Sequence, residues 1–283
     1  MNAKEHLEAG RLADAVAAQL EEVKKHPTDT TRRGFLCELL CFSGDLERAD
    51  KQLDMLGTQD PQAMVGVSMF RQLIRGETTR REFYTKGHVP EFLDLPNEVM
   101  KLHLEASIHL REGNGAEAAK LLAEAEEKRP KISGKCDGTS FDDFRDLDDL
   151  TSAFAEVITS NGKYYWIPWE RIEFIEFREI SRPRDLLWRR AHMVVAGGPD
   201  GEVYFPTLYY GSHSDEDQRV RLGRVTDWKG GDGTPVLGIG QRTLLVGNED
   251  RTILQLKNVE FENPQSPSDP ANNIQSLGDA PAE

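Results

Sequence analysis

The chain has no long apolar run and few cysteines. No segment of its 283 residues approaches the roughly 20 consecutive apolar residues of a membrane-spanning helix. The first residues, MNAKEHLEAGR, have neither the charged start nor the apolar stretch of a secretion signal. The three cysteines are an odd number without metal-type spacing, which indicates neither a disulfide framework nor a zinc site. We therefore expect a cytoplasmic protein with no bound metal and no cofactor.

Basic residues are also in deficit. The chain carries 35 lysines and arginines against 49 aspartates and glutamates, a net charge of −14. An electrostatic field of this sign repels nucleic-acid phosphates and anionic lipids. We expect neither a nucleic acid nor a membrane as partner, but a protein with a basic or amphipathic face.

A glycine-containing motif recurs in the first half of the chain. The sequence GRLADA at Gly10 returns as GDLERA at Gly44 and, in looser form, as GNGAEA at Gly113. The first two copies lie 34 positions apart, from 10 to 44, and this period is typical of tetratricopeptide hairpins. Residues 1–130 are therefore predicted to form a tetratricopeptide-like helical domain, whose concave face would receive a peptide or a helix.

The repeat degrades between its second and third copies. Apolar residues at helical spacing predict a helix that begins at Met64 and ends at Gly76, and a further short helix over 77–86. The proline-containing segment GHVPEFLDLP predicts a loop that leads into a helix over 97–111.

The composition changes after residue 131. A helix is predicted over 142–158, because apolar residues recur there at helical spacing behind a cluster of acids. Seven short segments rich in aromatic and branched residues predict strands, at 163–167, 172–177, 190–195, 202–208, 220–225, 240–246 and 252–256. Strands of this length close into a small barrel or a packed pair of sheets.

The predicted fold class is thus α+β. All-α helical hairpins in residues 1–130 precede a small β-rich α+β domain over 131–262. Residues 263–283 contain four prolines and little apolar surface, so we expect a disordered tail.

Several fragments carry the residue types of an enzyme site without its spacing. Ser212, His213 and Asp215 are too close in sequence to align as nucleophile, base and orienting acid. The glycines of GIGQR, beginning at Gly238, lack the third glycine of a dinucleotide fingerprint. We interpret both as structural. Five arginines could form a basic patch, at Arg189, Arg219, Arg221, Arg224 and Arg242.

The longest aromatic stretch, YYWIPWERIEFIEFREISRPRDLLW, spans residues 164–188. It holds three of the four tryptophans, which must be buried against something. A carboxyl among them, such as Asp185, could act as a general acid. We favour the alternative that Asp185 caps a short helix after Pro183 or pairs with a nearby arginine.

Six motifs resemble the ImpE family, also called SciE or TagJ, of accessory proteins of bacterial type VI secretion systems. They are FRDLDDL, NGKYYWIPWERI, RDLLWRRA, GEVYFPTLYYGS, LGRVTDW and GIGQRTLLVGNED, and the resemblance extends over about residues 1–257. It implies a cytoplasmic, non-enzymatic adaptor without catalytic residues. The implied partners are the N-terminal region of the smaller sheath subunit and the AAA+ ATPase that disassembles contracted sheaths.

Two hypotheses follow. The first is an adaptor that captures a sheath segment, either on the concave face of the hairpins or at the aromatic-rich edge of the C-terminal domain. Its candidate partner-binding residues are Trp166, Trp169, Asp185, Trp188, Arg189, Arg224 and Trp228. The alternative is a small-molecule or peptide-processing enzyme with a site near Trp166, Trp169, Asp185 and Arg189. A deep pocket with convergent polar groups would favour the enzyme, and a shallow groove would favour the adaptor.

Overall fold

A computed structural model of the chain describes residues 1–262 and 264–265. Over residues 3–128 the chain is helical. The helices are α1 (Ala3–Glu8), α2 (Leu12–Lys25), α3 (Thr30–Phe42), α4 (Leu46–Gln59), α5 (Met64–Lys86), α6 (Glu98–Arg111) and α7 (Gly115–Lys128). The predicted tail, 263–283, lies outside the described residues except for Pro264 and Gln265.

The three motif glycines occupy equivalent turns between helices. Gly10, Gly44 and Gly113 all have left-handed backbone, with φ of 78°, 83° and 79°. Glycine adopts this conformation without the steric penalty of a side chain, which explains why the motif repeats. The predicted helical hairpins are confirmed at α1/α2, α3/α4 and α6/α7.

The C-terminal part is built of short antiparallel strands. They are β1 (Gly134–Cys136), β2 (Thr139–Phe141), β3 (Phe144–Asp146), β4 (Phe154–Thr159), β5 (Tyr164–Pro168), β6 (Ile172–Phe177), β7 (Trp188–Val195), β8 (Asp200–Pro206), β9 (Thr226–Gly231), β10 (Thr234–Gly240), β11 (Thr243–Val246), β12 (Glu249–Thr252) and β13 (Asn258–Phe261). A short helix, α8 (Gln218–Arg221), precedes β9. The predicted α+β class is confirmed.

Eight of these strands form one sheet in the order β2-β1-β13-β6-β7-β8-β4-β5. Strands β9 and β10 form a separate hairpin, and β12, β11 and β3 a three-stranded sheet. Among the described residues the large sheet is open, with β2 and β5 at its edges, and does not close into a barrel.

The prediction of a helix over 142–158 is wrong. The segment forms β3, a single turn at Asp149–Thr151, and β4. Strand β4 lies between β5 and β8 and is buried from Phe154 to Ile158, so both of its faces are covered by protein. A fully buried strand has a continuous apolar run that periodicity does not separate from a helix.

Two of the predicted strands are also wrong. The segment 220–225 contains the end of α8 and a turn, and 252–256 is largely a turn that follows β12. The predicted strand 240–246 is interrupted at residues 241–242, between β10 and β11.

Helix α5 does not end at Gly76, as the sequence predicted, but continues to Lys86. Gly76 lies where α5 crosses β4, and a Cβ atom there would lie 2.4 Å from Cγ2 of Ile158. The glycine therefore permits close packing of a helix on a strand instead of ending the helix.

The helices and strands share their apolar cores. One cluster joins α1 to α5 with Ile158 and Trp188, and another joins α5, α6 and α7 with Phe154 and Trp166. A further cluster lies within the C-terminal part, among the strands and their connections. The secondary structure changes near residue 130, but the packing continues across that position.

We predict opposite effects for two alanine substitutions in α5. Gly76→Ala should destabilise the protein by about 1–3 kcal/mol, because Ile158 cannot move away without disturbing β4. Gly66→Ala is the matched control, since no atom lies within 4 Å of the added methyl group. It should stabilise by about 0.4–1 kcal/mol. Urea denaturation measures both, and equal effects would contradict the packing role of Gly76.

Candidate functional site: a buried ion network between two clefts

A buried carboxylate on β4 joins the helices to the strands. Arg80 of α5 donates from Nε to Oε1 of Glu156 at 2.9 Å and from Nη2 to Oε2 at 3.0 Å. Arg242, between β10 and β11, donates to Oε2 from the other side. All three side chains are buried, so each charge depends on its partners for stabilisation.

Tyrosine hydroxyls complete the hydrogen bonding of this carboxylate. Tyr84 donates to Oε1 of Glu156 at 3.1 Å, and Tyr164 donates to the same atom. Burial alone would raise the pKa of Glu156, but Arg80 and Arg242 outweigh burial and hold the pKa at about 2. Glu156 is therefore ionised at neutral pH.

A second group of carboxylates lies beside the first. Arg242 also pairs with Asp146 of β3, and the Tyr209 hydroxyl donates to Asp146 Oδ1 at 2.7 Å. Asp148 follows two residues later and accepts from Leu150 N and Gly238 N, each at 2.8 Å. Burial and the neighbouring Asp146 raise the pKa of Asp148 to about 7.

The network extends along α5. Glu77 pairs with Arg80 at 3.4 Å and with Arg81 at 3.1 Å, and Trp188 Nε1 donates to it. We call the whole set the ion network. It consists of four carboxylates and three guanidinium groups: Glu77, Asp146, Asp148, Glu156, Arg80, Arg81 and Arg242. When all are ionised, it carries one negative charge in excess.

Sequence reasoning missed this network. A glutamate within the apolar run FAEVI was the available signal, because a buried charge must be paired. Its partners are distant in sequence, however, and nothing local identifies Arg80 or Arg242 as those partners.

Four of the seven predicted partner-binding residues are buried. Trp166 stacks on Phe154 with ring centroids 3.9 Å apart, and Trp188 packs edge-on against Phe70. The other two are held by backbone carbonyls: Trp169 donates to Ser152 O at 3.1 Å and Arg189 to Ile253 O. As placed, these side chains stabilise the core and offer little surface.

The remaining three occupy separate positions. Asp185 accepts from Ser181 N and Arg182 N beside a short turn, and Arg224 donates to the carbonyls of Leu7 and Glu8 at the end of α1. Trp228 of β9 is 38% exposed. The five arginines do not form a patch, because Arg189 and Arg242 are buried.

The aromatic edge of the sheet is already covered. Glu91, in the loop before α6, donates its N–H to Tyr164 O at 2.9 Å and accepts from Trp166 N at 3.1 Å. Strand β5 then ends at Pro168, which has no N–H to donate. An incoming strand would therefore find few free backbone groups at this edge.

An open groove of about 830 Å³ lies between α4 and α5. Leu46 and Ile74 are its buried apolar residues, and charged side chains of both signs line the rest. Arg71 pairs with Asp50 at 2.7 Å, whereas Arg75 is exposed and has no ion pair among the described residues. We call this the α4–α5 groove.

A smaller cavity of about 220 Å³ lies where α5, α6 and β10 meet. Its walls are mostly aromatic and aliphatic, and they include Phe83, Tyr84, Leu110, Tyr209, Tyr210 and Leu237. Arg111 and Asp148 are its charged residues. We call this the junction cavity.

We searched the described residues for side chains that could form a metal-binding site. They contain no group of three or more His, Cys, Asp or Glu side chains that could hold a metal ion. Cys37, Cys41 and Cys136 are buried free thiols. In the described part of the chain, no helix is both long enough and apolar enough to span a bilayer.

Comparisons with known proteins agree with the resemblance in the motifs. The family model of the ImpE protein matches residues 138–260. The type VI secretion system accessory component TagJ of Pseudomonas aeruginosa is 32% identical over 262 residues, which cover 93% of this chain and 92% of TagJ. The crystal structure of protein VPA1032 from Vibrio parahaemolyticus is similar with a TM-score of 0.86 and 29% identity. That match covers 92% of this chain and 97% of the other.

We predict that Glu156→Gln destabilises the fold by about 3–5 kcal/mol at neutral pH, because Arg80 and Arg242 would be left without their shared carboxylate. The pKa of Glu156 is lower in the folded state than its ordinary value of 4.5. Its charge therefore contributes stability above pH 4.5 that is lost as the pH falls towards 2. The difference between variant and wild type should shrink over that range.

The control for this prediction is Glu47→Gln. Glu47 pairs with Lys51 on the surface of α4 and is 80% exposed, so the change should alter stability by no more than about 0.5 kcal/mol. Chemical denaturation across the acidic range measures both variants. Similar losses for the two would show that the ion network does not depend on Glu156.

Proposed function

Because the chain belongs to the ImpE family, we propose that it is an accessory component of a bacterial type VI secretion system and acts there as a non-enzymatic cytoplasmic adaptor. The similarity to TagJ over nearly the whole of both chains supports this assignment. The proposed partner is a segment from the N-terminal region of the smaller sheath subunit. A link to the AAA+ disassembly ATPase is part of the same proposal.

The α4–α5 groove is the observation that carries the capture mechanism. After α5 the chain does not return as an antiparallel helix but enters the loop that covers β5, and α6 packs mainly on α7. The face of α5 that looks towards the start of α4 is therefore left open. Open grooves between helices receive amphipathic helices in many complexes.

The composition of the groove specifies the partner helix. Leu46 and Ile74 are 8% and 5% exposed and offer little apolar surface, so the charged wall carries the recognition, and Arg75 would pair with a carboxylate of the partner. Capture at the aromatic edge is less well supported, because Glu91 already pairs with β5. Nothing in the surroundings of Trp166, Trp169, Asp185 and Arg189 favours the enzyme alternative, since three of them are buried in packing contacts.

Calorimetric titration with a peptide from the N-terminal region of the cognate smaller sheath subunit tests this proposal. We expect saturable binding with a negative heat-capacity change, which reports apolar burial. Arg75→Glu should weaken binding by about tenfold, or about 1.4 kcal/mol, because it replaces an attraction by a repulsion.

Lys101→Glu is the matched control, since Lys101 is an exposed helical cation without an ion pair in the described part of the chain. The Lys101→Glu variant should bind the peptide with the same affinity as the wild type. Thr78→Trp should block the groove sterically, because Thr78 is exposed in its wall. If no binding is seen at about millimolar peptide, the binding free energy is weaker than about −4 kcal/mol. That result would contradict the proposal that the sheath segment is the partner. Unchanged affinity in both groove variants would contradict the site.

A further inference from the structure

We infer that the junction cavity binds a basic side chain, the guanidinium of an arginine or the ammonium of a lysine, from a partner polypeptide. The cavity lies beside Tyr84, whereas the α4–α5 groove follows α5 from Arg71 to Glu82. The inference therefore does not depend on the proposed sheath partner, and each can fail without the other.

The walls of the cavity suit a cation. Tyr84 and Tyr210 stack with parallel rings 4.1 Å apart. The protein's own guanidinium groups already lie over three of the lining rings, Arg80 over Tyr84, Arg111 over Phe83 and Arg242 over Tyr209. Tyr210 is the lining ring that remains for a further cation. Aromatic faces attract ammonium and guanidinium groups, and the attraction is stronger where water is excluded. Leu237 provides aliphatic surface for the methylene groups of a long basic side chain.

Asp148, one of the two charged residues of the cavity wall, favours the same occupant. Asp148 is 7% exposed and accepts only from backbone N–H groups, those of Leu150, Thr151 and Gly238. No lysine or arginine among the described residues forms an ion pair with it; Arg242 pairs instead with Asp146 and Glu156. Asp148 thus carries the uncompensated negative charge of the ion network and lines the cavity.

The volume fits one side chain. At about 220 Å³ the cavity is large enough for an arginine or lysine side chain but not for a helix. The chain as a whole, with a net charge of −14, also attracts basic segments over longer distances.

Arg111 is the charge that opposes a cation in this cavity. Its Nη1 donates to Phe83 O at 3.2 Å and to Ser107 Oγ at 3.1 Å, so it is held on the α6 side. The other charged or titratable groups around Asp148 are its chain neighbour Asp149, together with Asp146, Arg242, Tyr84 and Tyr209. Removing the charge of Arg111 should therefore strengthen binding of a cation and weaken binding of an anion.

The experiment uses a small probe and its neutral isostere on the full chain. N-acetyl-arginine methylamide is titrated against N-acetyl-citrulline methylamide, and the backbone amide signals of Leu150 and Gly238, which donate to Asp148, are followed by NMR. We expect saturable shifts with the arginine probe, with a dissociation constant of about 1 mM or below, and none with citrulline. Shifts of equal size with both probes would show an apolar pocket and overturn the inference.

Variants assign the binding to this cavity. Tyr210→Leu should weaken arginine binding at least about fivefold. Tyr165 is also half-buried but lies on β5, away from the cavity lining, so Tyr165→Leu should leave arginine binding unchanged. Arg111→Gln should tighten it. Thermal melting is measured for each variant so that loss of fold is recognised. Equal loss in both tyrosine variants, or weaker binding in Arg111→Gln, would overturn the inference.

A pH series provides an independent readout. The guanidinium keeps its charge throughout, while the pKa of Asp148 is about 7. Affinity should be constant above pH 8 and should fall by about tenfold for each pH unit well below 7, as Asp148 becomes neutral. An affinity independent of pH between 5.5 and 8 would show that Asp148 does not bind the probe.

Discussion

The structure depends on the placement of one buried carboxylate, Glu156, between Arg80 and Arg242. Removing three charges from water is unfavourable by several kcal/mol for each ion, and the loss is recovered only if the partners hold nearly ideal geometry. Arg80 belongs to α5 and Glu156 to β4, so the orientation of the helix on the sheet is fixed by this requirement. A shift of α5 by one turn would separate Arg80 from Glu156 and so break a buried ion pair, whereas Arg242 would still contact the carboxylate.

This constraint explains several features of α5. Gly76 lies where the helix approaches Ile158, one turn before Arg80, and the missing side chain lets the guanidinium reach the strand. The helix remains continuous for 23 residues, so its two ends are rigidly related. The α4–α5 groove lies along one side of this helix and the junction cavity near its last turns. An occupant of either cleft therefore contacts the element that joins the helices to the strands.

The sequence predicted those parts of the fold whose causes are local. A glycine with left-handed backbone lies within each motif turn, and prolines follow α2 and α7, so the hairpins could be recognised from neighbouring residues. The ion network could not, because Arg80 and Glu156 lie 76 positions apart and Glu156 and Arg242 lie 86 apart. The prediction of a helix over 142–158 was wrong for a related reason. Only the neighbouring strands on both sides of β4 distinguish this buried strand from a helix. Likewise, the density of tryptophans in the segment 164–188 predicts that their side chains are buried. No local feature of the sequence identifies Trp228, outside that segment, as the exposed tryptophan.

The excess carboxylate of the ion network has a physical consequence for binding. A buried negative charge without a cation favours whatever neutralises it, and near neutral pH the proton is available to do so at Asp148, whose pKa is about 7. A basic side chain in the junction cavity would compete with that proton, because both are attracted to the same carboxylate. By linkage, the cation must lower the pKa of Asp148 and release a proton in proportion to the fraction protonated beforehand. The proton and the partner are thus alternative ways to balance a charge that the protein itself leaves unpaired.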